Sequence, residues 1–291
     1  MKAEYASIKI IFICVLVVIL LYTLYANSLP KPNLELVDMP FHIERQNKEI
    51  DSVSGLPLTL YQSWGTNKVS LKMREAIYSI LDMNPELEYY LYSDQKCLEF
   101  IEDNFSSEVV DAFNVFKPGA YKSDLWRYCI LYIKGGLYLD IKYYAVAPIV
   151  QYLREHPTVY VQGIPSICHE TSIFLREAYN GFMVSPPNNR VYKDCIDDIV
   201  NSTKLKLYKA SPLDITGPCL QLKMLKKYKS DAEIRAEPFT YSRPIFTLTW
   251  IDNIYHNDVK VFTSYKEYRW EQKSNKKNYY FVKWLKGDVY N

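Results

Sequence analysis

The chain has 291 residues, of which 48% are hydrophobic and 23% are charged, and its formal net charge is +2. This length allows one large domain or two small ones, and the hydrophobic content supports a substantial core, which excludes a disordered chain. The balanced charge excludes nucleic-acid binding as the main function, so no nucleic-acid partner is predicted.

The 27 tyrosines and six cysteines do not by themselves identify a site. Aromatic residues usually fill cores and half-buried surfaces, so a compositional bias is favoured over a sugar-binding surface of aromatic platforms. No Cys-x-x-Cys pair is present, which argues against a structural zinc site. The five cysteines outside the apolar N-terminal run cannot all pair with one another. One disulfide among them is compatible with the sequence, but the spacing does not assign it.

An apolar run over residues 10–26 predicts a transmembrane signal anchor. As a helix this run is about 26 Å long, enough to cross the hydrocarbon core of a bilayer with little tilt. Lys2 and Lys9 outweigh Glu4 in the short tail of residues 1–9, so we expect a cytoplasmic tail and a chain that crosses the membrane after it. The alternative is a cleavable signal peptide, although the far end of the run makes a poor cleavage site.

A polar segment over residues 27–56, with three prolines, follows the predicted anchor. It predicts a stem that holds a single globular domain, residues 57–291, away from the membrane. Two Asn-x-Ser/Thr sequons, at Asn104 and Asn201, fit a luminal domain. We therefore expect a single-pass type II membrane protein that faces the Golgi or endoplasmic reticulum lumen if its source is eukaryotic or viral.

The globular domain is predicted to have an α/β fold. Its predicted elements are, in order, a strand over 58–64, a helix over 69–83, a strand over 88–93, helices to about 116, a helix over 120–133, a strand ending at residue 140, strands over 159–162 and 181–185, and helices over 190–202 and 219–228. The β-α-β-α-α-β order at the start, with these connection lengths, predicts a mainly parallel central sheet.

Two short segments carry the residues of a candidate site. Asp124 and Arg127 are three apart in the predicted helix over 120–133, so they share a face. Asp140 stands at the carboxyl end of a buried strand, where α/β sheets bind ligands. Each feature alone is ordinary, a surface helix pair or a salt bridge at a strand end. We interpret the two together as one site for a phosphorylated ligand.

The sequence Asp140-Ile141-Lys142 leaves two alternatives for the charge of that site. Asp-x-Asp at a strand end commonly supplies carboxylates to a divalent metal, because hard cations take oxygen ligands. Alternate residues of a strand face the same way, so Asp140 and Lys142 are expected on one face. Either the site holds manganese or magnesium with Asp140 as a ligand, or the ammonium of Lys142 replaces the cation beside a diphosphate.

Four motifs in a fixed order resemble the DXD-type sugar transferases of glycosyltransferase family 32, which include the fungal initiating α-1,6-mannosyltransferases. These motifs lie at residues 60–64, 122–128, 135–140 and 216–218. The resemblance covers roughly residues 57–228. It implies a GT-A fold, a type II topology in eukaryotic members, and transfer from a nucleotide sugar with retention at the anomeric carbon.

The resemblance also implies roles for single residues. Trp64 would stack near the nucleotide base. Asp124 and Arg127 would contact the sugar and the diphosphate side of the donor, and Asp140 would lie on the ribose and metal side. No side chain in the motifs is an obvious nucleophile. Attack from the same face as the leaving group needs only positioning and electrostatics, so both carboxylates are expected to bind rather than to transfer protons.

Other predicted site residues lie outside these central motifs or depart from the family pattern. Thr216 and Gly217 resemble the family's loop near the cleft between sugar and acceptor. Tyr279 and Trp284 resemble a C-terminal pattern of the family and act either as a lid over the donor or as hydrophobic anchors of the tail. Lys142 departs from the second Asp of the motif. We place it with Asp140 as the candidate catalytic pair, acting through charge.

The sequence thus predicts a membrane-anchored glycosyltransferase. It would move a sugar, mannose in the best-known relatives, from a nucleotide-diphosphate sugar to a glycan, glycolipid or glycoprotein acceptor. One alternative is a catalytically degenerate relative that binds sugar or nucleotide as the partner of an active transferase, which Lys142 favours. Another is a secreted lectin-like protein.

Overall fold

The computed structural model describes residues 35–48, 52–154, 156–162, 178–228, 246–248, 253–265, 267–268, 271 and 279–291. The predicted membrane anchor over residues 10–26 and the tail before it lie outside these residues. Within them, no helix is long and apolar enough to cross a membrane. Residues Leu34–Asn291 form one compact unit.

The described part of this unit contains nine helices and fourteen strands. The helices are α1 (Leu71–Met83), α2 (Asp94–Asn104), α3 (Ser107–Val115), α4 (Gly119–Lys134), α5 (Val150–Leu153), α6 (Arg190–Lys204), α7 (Pro212–Ile215), α8 (Pro218–Lys227) and α9 (Tyr280–Leu285). The strands are β1 (Leu36–Asp38), β2 (His42–Ile43), β3 (Ser52–Val53), β4 (Leu56–Pro57), β5 (Thr59–Ser63), β6 (Lys68–Ser70), β7 (Glu88–Tyr92), β8 (Gly136–Leu139), β9 (Tyr143–Ala145), β10 (Val159–Gln162), β11 (Ala178–Ser185), β12 (Phe246–Leu248), β13 (Asn253–His256) and β14 (Val259–Ser264). The predicted elements are confirmed, with boundaries shifted by a few residues.

The central sheet is mixed rather than mainly parallel, which corrects the expectation from the element order. Its ten strands lie in the order β2-β7-β5-β8-β11-β10-β12-β13-β14-β9. Strands β7, β5 and β8 are parallel neighbours, as the early β-α-β pattern requires. Three of the nine neighbouring pairs are parallel and six are antiparallel. Strands β12, β13 and β14 follow one another through connections of only a few residues, which are too short for a helical crossover and therefore produce antiparallel pairs. The antiparallel pairs of β8 with β11 and of β14 with β9 join strands that are distant in the sequence.

Helices cover both faces of this sheet. Strand β8 shows the alternation, because Tyr138 lies in one buried cluster while Leu137 and Leu139 lie in the other. The first cluster contains the inner face of α4, including Trp126, which is fully buried. The second contains the buried residues of α1, which recur at helical spacing. The sheet is therefore the middle layer between helices, and its strand ends open at the edges.

The folded unit begins earlier than residue 57, the boundary expected from the sequence. Strand β1 pairs with β6, and β2 pairs with β7 at one edge of the central sheet. Strands β1 and β2 lie in the segment over residues 27–56, which the sequence predicts to be a stem. The backbone N–H of Leu91 in β7 also donates to the carbonyl of Phe41 at 2.8 Å. Short strands with polar neighbours give no clear period, so the sequence alone did not show this pairing.

The C-terminal segment is fixed to the start of α4 and to the loop after α6. The backbone N–H of Lys117 donates to the carbonyl of Val289 at 2.9 Å, and the rings of Phe116 and Tyr290 stack with centroids 5.6 Å apart. Asp288 accepts from Lys117 at 2.5 Å and from Lys283 in α9 at 2.7 Å. These two lysines hold the pKa of Asp288 at about 2, below its usual value.

The contacts of Asp288 with Lys117 and Lys283 predict that the stability of the folded chain depends on pH. Because the pKa of Asp288 is lower in the folded chain than in the unfolded chain, its contribution to stability is present above pH ~4 and is lost as the pH falls toward about 2. We expect Asp288→Asn to lower the thermal midpoint at pH 7 and at pH 5, and the difference from the unmodified chain to shrink below pH ~4. A difference that stays constant over this range would contradict the prediction. Thermal denaturation followed by circular dichroism measures it.

Candidate functional site

The predicted site lies where three neighbouring strands meet one edge of the sheet. Strands β5 and β8 are parallel, so Trp64 and Asp140, which follow them, emerge at the same edge. Strand β11 runs antiparallel to β8, so its first residues reach that edge too. The backbone N–H of Asp140 donates to the carbonyl of Gly181 at 2.8 Å. The ladder therefore fixes Asp140 beside the beginning of β11.

Arg127 joins the two predicted carboxylates. Its Nη2 lies 3.3 Å from Oδ1 of Asp124, one helical turn earlier in α4. Its Nη1 lies 3.5 Å from Oδ1 of Asp140 and donates to the carbonyl of Asn180 at 2.7 Å. The side chains of Arg127 and Asp124 are only 7% and 12% exposed. The side chain of Asp140 is 24% exposed, so the helix and the strand end form one largely buried ion cluster that is open at Asp140, and the two segments come together as the sequence predicts.

Both carboxylate oxygens of Asp124 also accept hydrogen bonds from neutral side chains. Oδ1 accepts from the side-chain amide of Asn180 at 2.9 Å, and Oδ2 accepts from the hydroxyl of Thr216 at 2.8 Å. A Cβ atom built on Gly217 would lie 3.6 Å from Oδ2 of Asp124. The loop of Thr216 and Gly217, which leads into α8, therefore packs directly against Asp124.

Asp140 and Lys142 come together through a turn and not through strand alternation, which corrects the expected geometry. Residues 140–142 lie between β8 and β9, and the N–H of Tyr143 donates to the carbonyl of Asp140 at 3.3 Å. The Nζ of Lys142 lies 3.9 Å from Oδ2 of Asp140. The hydroxyls of Tyr138 and Tyr179 donate to Oδ1 and Oδ2 at 3.0 and 3.2 Å.

Burial and charge act in opposite directions on this cluster. Burial raises the pKa of Asp124, and the charge of Arg127 and the hydrogen bond from Thr216 offset only part of that effect. Burial would lower the pKa of Arg127, but the neighbouring Tyr138, Asp124 and Asp140 raise it, so the guanidinium stays charged. Its Cζ also lies 4.1 Å from the centre of the Tyr138 ring, in a cation–π contact.

Sequence reasoning missed five residues of this site, namely Tyr138, Tyr179, Asn180, Gly181 and Ser123. Asn180, Tyr179 and Gly181 reach it only because of the register of β11 against β8. A Cβ on Gly181 would clash with the hydroxyl oxygen of Tyr179 and would lie 2.6 Å from Oδ2 of Asp140, so a side chain at this position would displace both groups. Ser123 precedes Asp124 in the helical motif and accepts from Nη2 of Arg127 at 3.0 Å. The position of Ser123 in the motif at residues 122–128 was the signal that could have identified it.

Three predicted residues contact other parts of the chain. The ring of Trp64 lies 6.3 Å from that of Tyr268, and its neighbour Ser63 contacts the Ser123 hydroxyl at 2.8 Å. The indole N–H of Trp284 donates to the carbonyl of Tyr208 at 2.7 Å. Tyr279 is 44% exposed. Within the described residues, no hydrogen bond joins Tyr279 or Trp284 to the ion cluster, and the hydrogen bond of Trp284 to Tyr208 favours the anchoring alternative.

The described residues do not fit a divalent cation. No group of three or more His, Cys, Asp or Glu side chains among them could hold a metal ion. Both oxygens of Asp140 already face protein donors, and two of those donors, Arg127 and Lys142, belong to cationic side chains. A cation placed on this carboxylate would meet like charge on both sides.

Comparison with known proteins agrees with the motifs. Residues 70–159 match the sequence model of the glycosyltransferase sugar-binding region containing a DXD motif. The matched segment includes Asp124, Arg127, Asp140 and Lys142 but not the loop at Thr216. The resemblance expected from the sequence is confirmed over this segment.

Individual relatives match part of the chain. Inositol phosphoceramide mannosyltransferase 3 of Schizosaccharomyces pombe is 32% identical over 30% of this chain and 24% of its own length. The initiation-specific alpha-1,6-mannosyltransferase of Candida albicans is 28% identical over 35% of this chain and 28% of its own length. An uncharacterized glycosyltransferase of Acanthamoeba polyphaga mimivirus is 23% identical over 55% of this chain and 66% of its own length. The chain thus spans about a quarter of the length of the fungal relatives it matches.

A solved structure, the PaToxG glycosyltransferase, aligns with a TM-score of 0.43 and 16% sequence identity. The alignment covers 62% of this chain and 73% of the other. At that TM-score the likeness supports no conclusion about fold or function.

Proposed function

We propose that the chain is a glycosyltransferase with a GT-A-like domain that moves a sugar from a nucleotide-diphosphate sugar to a glycan, glycolipid or glycoprotein acceptor. The observation that carries this proposal is the largely buried cluster in which Asp124 and Arg127 of α4 meet Asp140 at the carboxyl end of β8. Such a cluster offers carboxylates to sugar or ribose hydroxyls and a guanidinium to phosphate. The names of the fungal relatives make mannose the first donor sugar to test.

The same contacts support transfer with retention and without a protein nucleophile. Both carboxylates have both oxygens engaged by protein donors, which suits binding and positioning. In the proposed step, the acceptor hydroxyl oxygen bonds to the anomeric carbon as the bond from that carbon to the phosphate oxygen breaks. The hydroxyl proton passes to the departing diphosphate, so no catalytic base is needed. Arg127 and Lys142 stabilise the charge that develops on the diphosphate.

We also propose that the domain works in an oxidising compartment as a type II membrane protein. The apolar run over residues 10–26 supports the anchor, and the disulfide at Cys219 supports the compartment. The described cysteines Cys97, Cys129 and Cys195 are free and buried. Cys219 lies in α8, directly after the loop that contacts Asp124, so its disulfide would also hold that loop in place.

The test is release of nucleotide from GDP- and UDP-sugars by the full-length chain in detergent, with manganese and with chelator. We expect nucleotide release from at least one donor. We expect Asp140→Asn to reduce the rate of release by ~100-fold or more, because the variant lacks the carboxylate charge that is proposed to position the donor. Asp197→Asn makes the same chemical change on the outer face of α6, where the side chain is 53% exposed, and should leave release unchanged.

Two outcomes would count against an active transferase. Nucleotide binding without release, in the presence of glycan and lipid acceptors, would favour the degenerate binding partner, the alternative that Lys142 supports. Sugar binding without any nucleotide binding would favour a lectin-like protein.

A further inference from the structure

We infer that this site binds the donor diphosphate without a divalent cation, and that Lys142, together with Arg127, supplies the positive charge. The inference rests on the proposed function, since it assumes a diphosphate ligand.

The sequence is the first observation. The matched family region is described by a DXD motif, yet Asp-x-Asp occurs nowhere in the 291 residues. Lys142 stands two residues after Asp140, where the motif would have its second Asp. An aspartate there would carry one negative charge and the lysine carries one positive charge. The difference of two charges equals the charge of one divalent cation, so the lysine alone restores the charge that aspartate and metal would give together.

The surroundings of Asp140 are the second observation. Nη1 of Arg127 lies 3.5 Å from Oδ1, and Nζ of Lys142 lies 3.9 Å from Oδ2. A metal bound to either oxygen at about 2.1 Å would therefore lie within about 6 Å of a protein cation. The hydroxyls of Tyr138 and Tyr179 occupy acceptor positions on the same two oxygens. Asp124, the other carboxylate of the cluster, already accepts from Thr216 and Asn180.

The position of Lys142 is the third observation. Its side chain is only 14% exposed, so it is built into the site and is not an ordinary solvated surface lysine. Its Nζ lies 5.1 Å from the ring centre of Tyr143 and 5.8 Å from that of Tyr179. The hydroxyls of these two tyrosines are 2.8 Å apart, which joins the two rings. Aromatic faces stabilise an ammonium group while it stays within reach of an anion.

The test measures binding of GDP and UDP to the full-length chain by isothermal titration calorimetry, with chelator and with manganese. Electron paramagnetic resonance of the free Mn²⁺ signal counts the bound metal. For the unmodified chain we expect affinities that agree within about twofold in the two conditions and no stoichiometric Mn²⁺ at the site. The Lys142→Asp variant should bind the nucleotide at least tenfold more weakly than the unmodified chain in chelator. With manganese it should regain the affinity for nucleotide and bind one Mn²⁺.

The control is Lys204→Asp, which makes the same charge change at an exposed lysine paired with Glu108 and should behave like the unmodified chain. The comparison of chelator with manganese on the unmodified chain decides the inference even if Lys142→Asp does not fold. Nucleotide binding that requires manganese in the unmodified chain would overturn this inference and leave the proposed function standing. Absence of nucleotide binding under every condition would overturn both.

Discussion

Replacing Arg127 with methionine is expected to destabilise the folded chain by about 3–5 kcal/mol and to abolish nucleotide binding. The guanidinium is 7% exposed, and it is the group that lies against both Asp124 and Asp140. Methionine keeps much of the volume but removes the cation beside Asp124, whose side chain is 12% exposed, whereas Asp140 keeps Lys142 at 3.9 Å. Removing one partner of a buried ion pair is costly for this reason, since the remaining charge has no compensation.

The pH dependence of this variant separates loss of charge from loss of packing. Burial already raises the pKa of Asp124, and Arg127 is the largest influence that lowers it. Without Arg127 the folded chain therefore binds a proton on Asp124 more strongly than the unfolded chain does. The deficit in the free energy of unfolding should be largest near pH 7 and should shrink as the pH falls toward about 5.

Urea denaturation at several pH values measures that deficit. Arg74→Met, on the partly exposed side of α1, is the matched control, and its free energy of unfolding should change by about 0.5 kcal/mol or less. A deficit for Arg127→Met that is independent of pH would mean that lost packing, and not the unpaired charge of Asp124, causes the destabilisation.

Gly136→Ala is expected to destabilise the chain by about 2–5 kcal/mol, although residue 136 is not one of the residues of the ion cluster. Gly136 has φ = 100°, a conformation that residues with a side chain rarely adopt. An added Cβ would also lie 2.6 Å from the carbonyl oxygen of Thr59 in β5 and 3.1 Å from the ring of Tyr61. The backbone oxygen cannot move without disturbing the β5–β8 ladder. Because Asp140 follows β8 directly, nucleotide binding should weaken as well.

Gly55→Ala provides the matched control for this prediction. Gly55 has φ = 76°, but nothing lies within 4 Å of an added Cβ. The Gly55→Ala variant should therefore lose only about 1–2 kcal/mol of unfolding free energy, the cost of the unfavourable backbone conformation, and should still bind nucleotide. Equal losses of unfolding free energy for the two alanine variants would contradict a steric role for the contact between β5 and β8.

The sequence by itself determined the features that depend on neighbours along the chain. Helical spacing of apolar residues predicted α1, α4 and α6, because the period of 3.6 is a property of one helix. The same local geometry placed Asp124 beside Arg127 and placed Asp140 at the end of a buried strand. The resemblance added Thr216 and Gly217, whose approach to Asp124 no local rule predicts.

Only the tertiary structure decided which strands pair and which distant residues complete the site. The direction of each strand depends on long-range packing and on the length of its connections, so the sheet is mixed where the early β-α-β order suggested a parallel one. The register of β11 against β8 brings Asn180 to Asp124 and Tyr179 to Asp140, and no spacing in the sequence encodes that register. The turn after Asp140 brings Lys142 back to its carboxylate. Contacts made across the sheet are set by the fold as a whole, whereas a period within one helix is set by its own backbone.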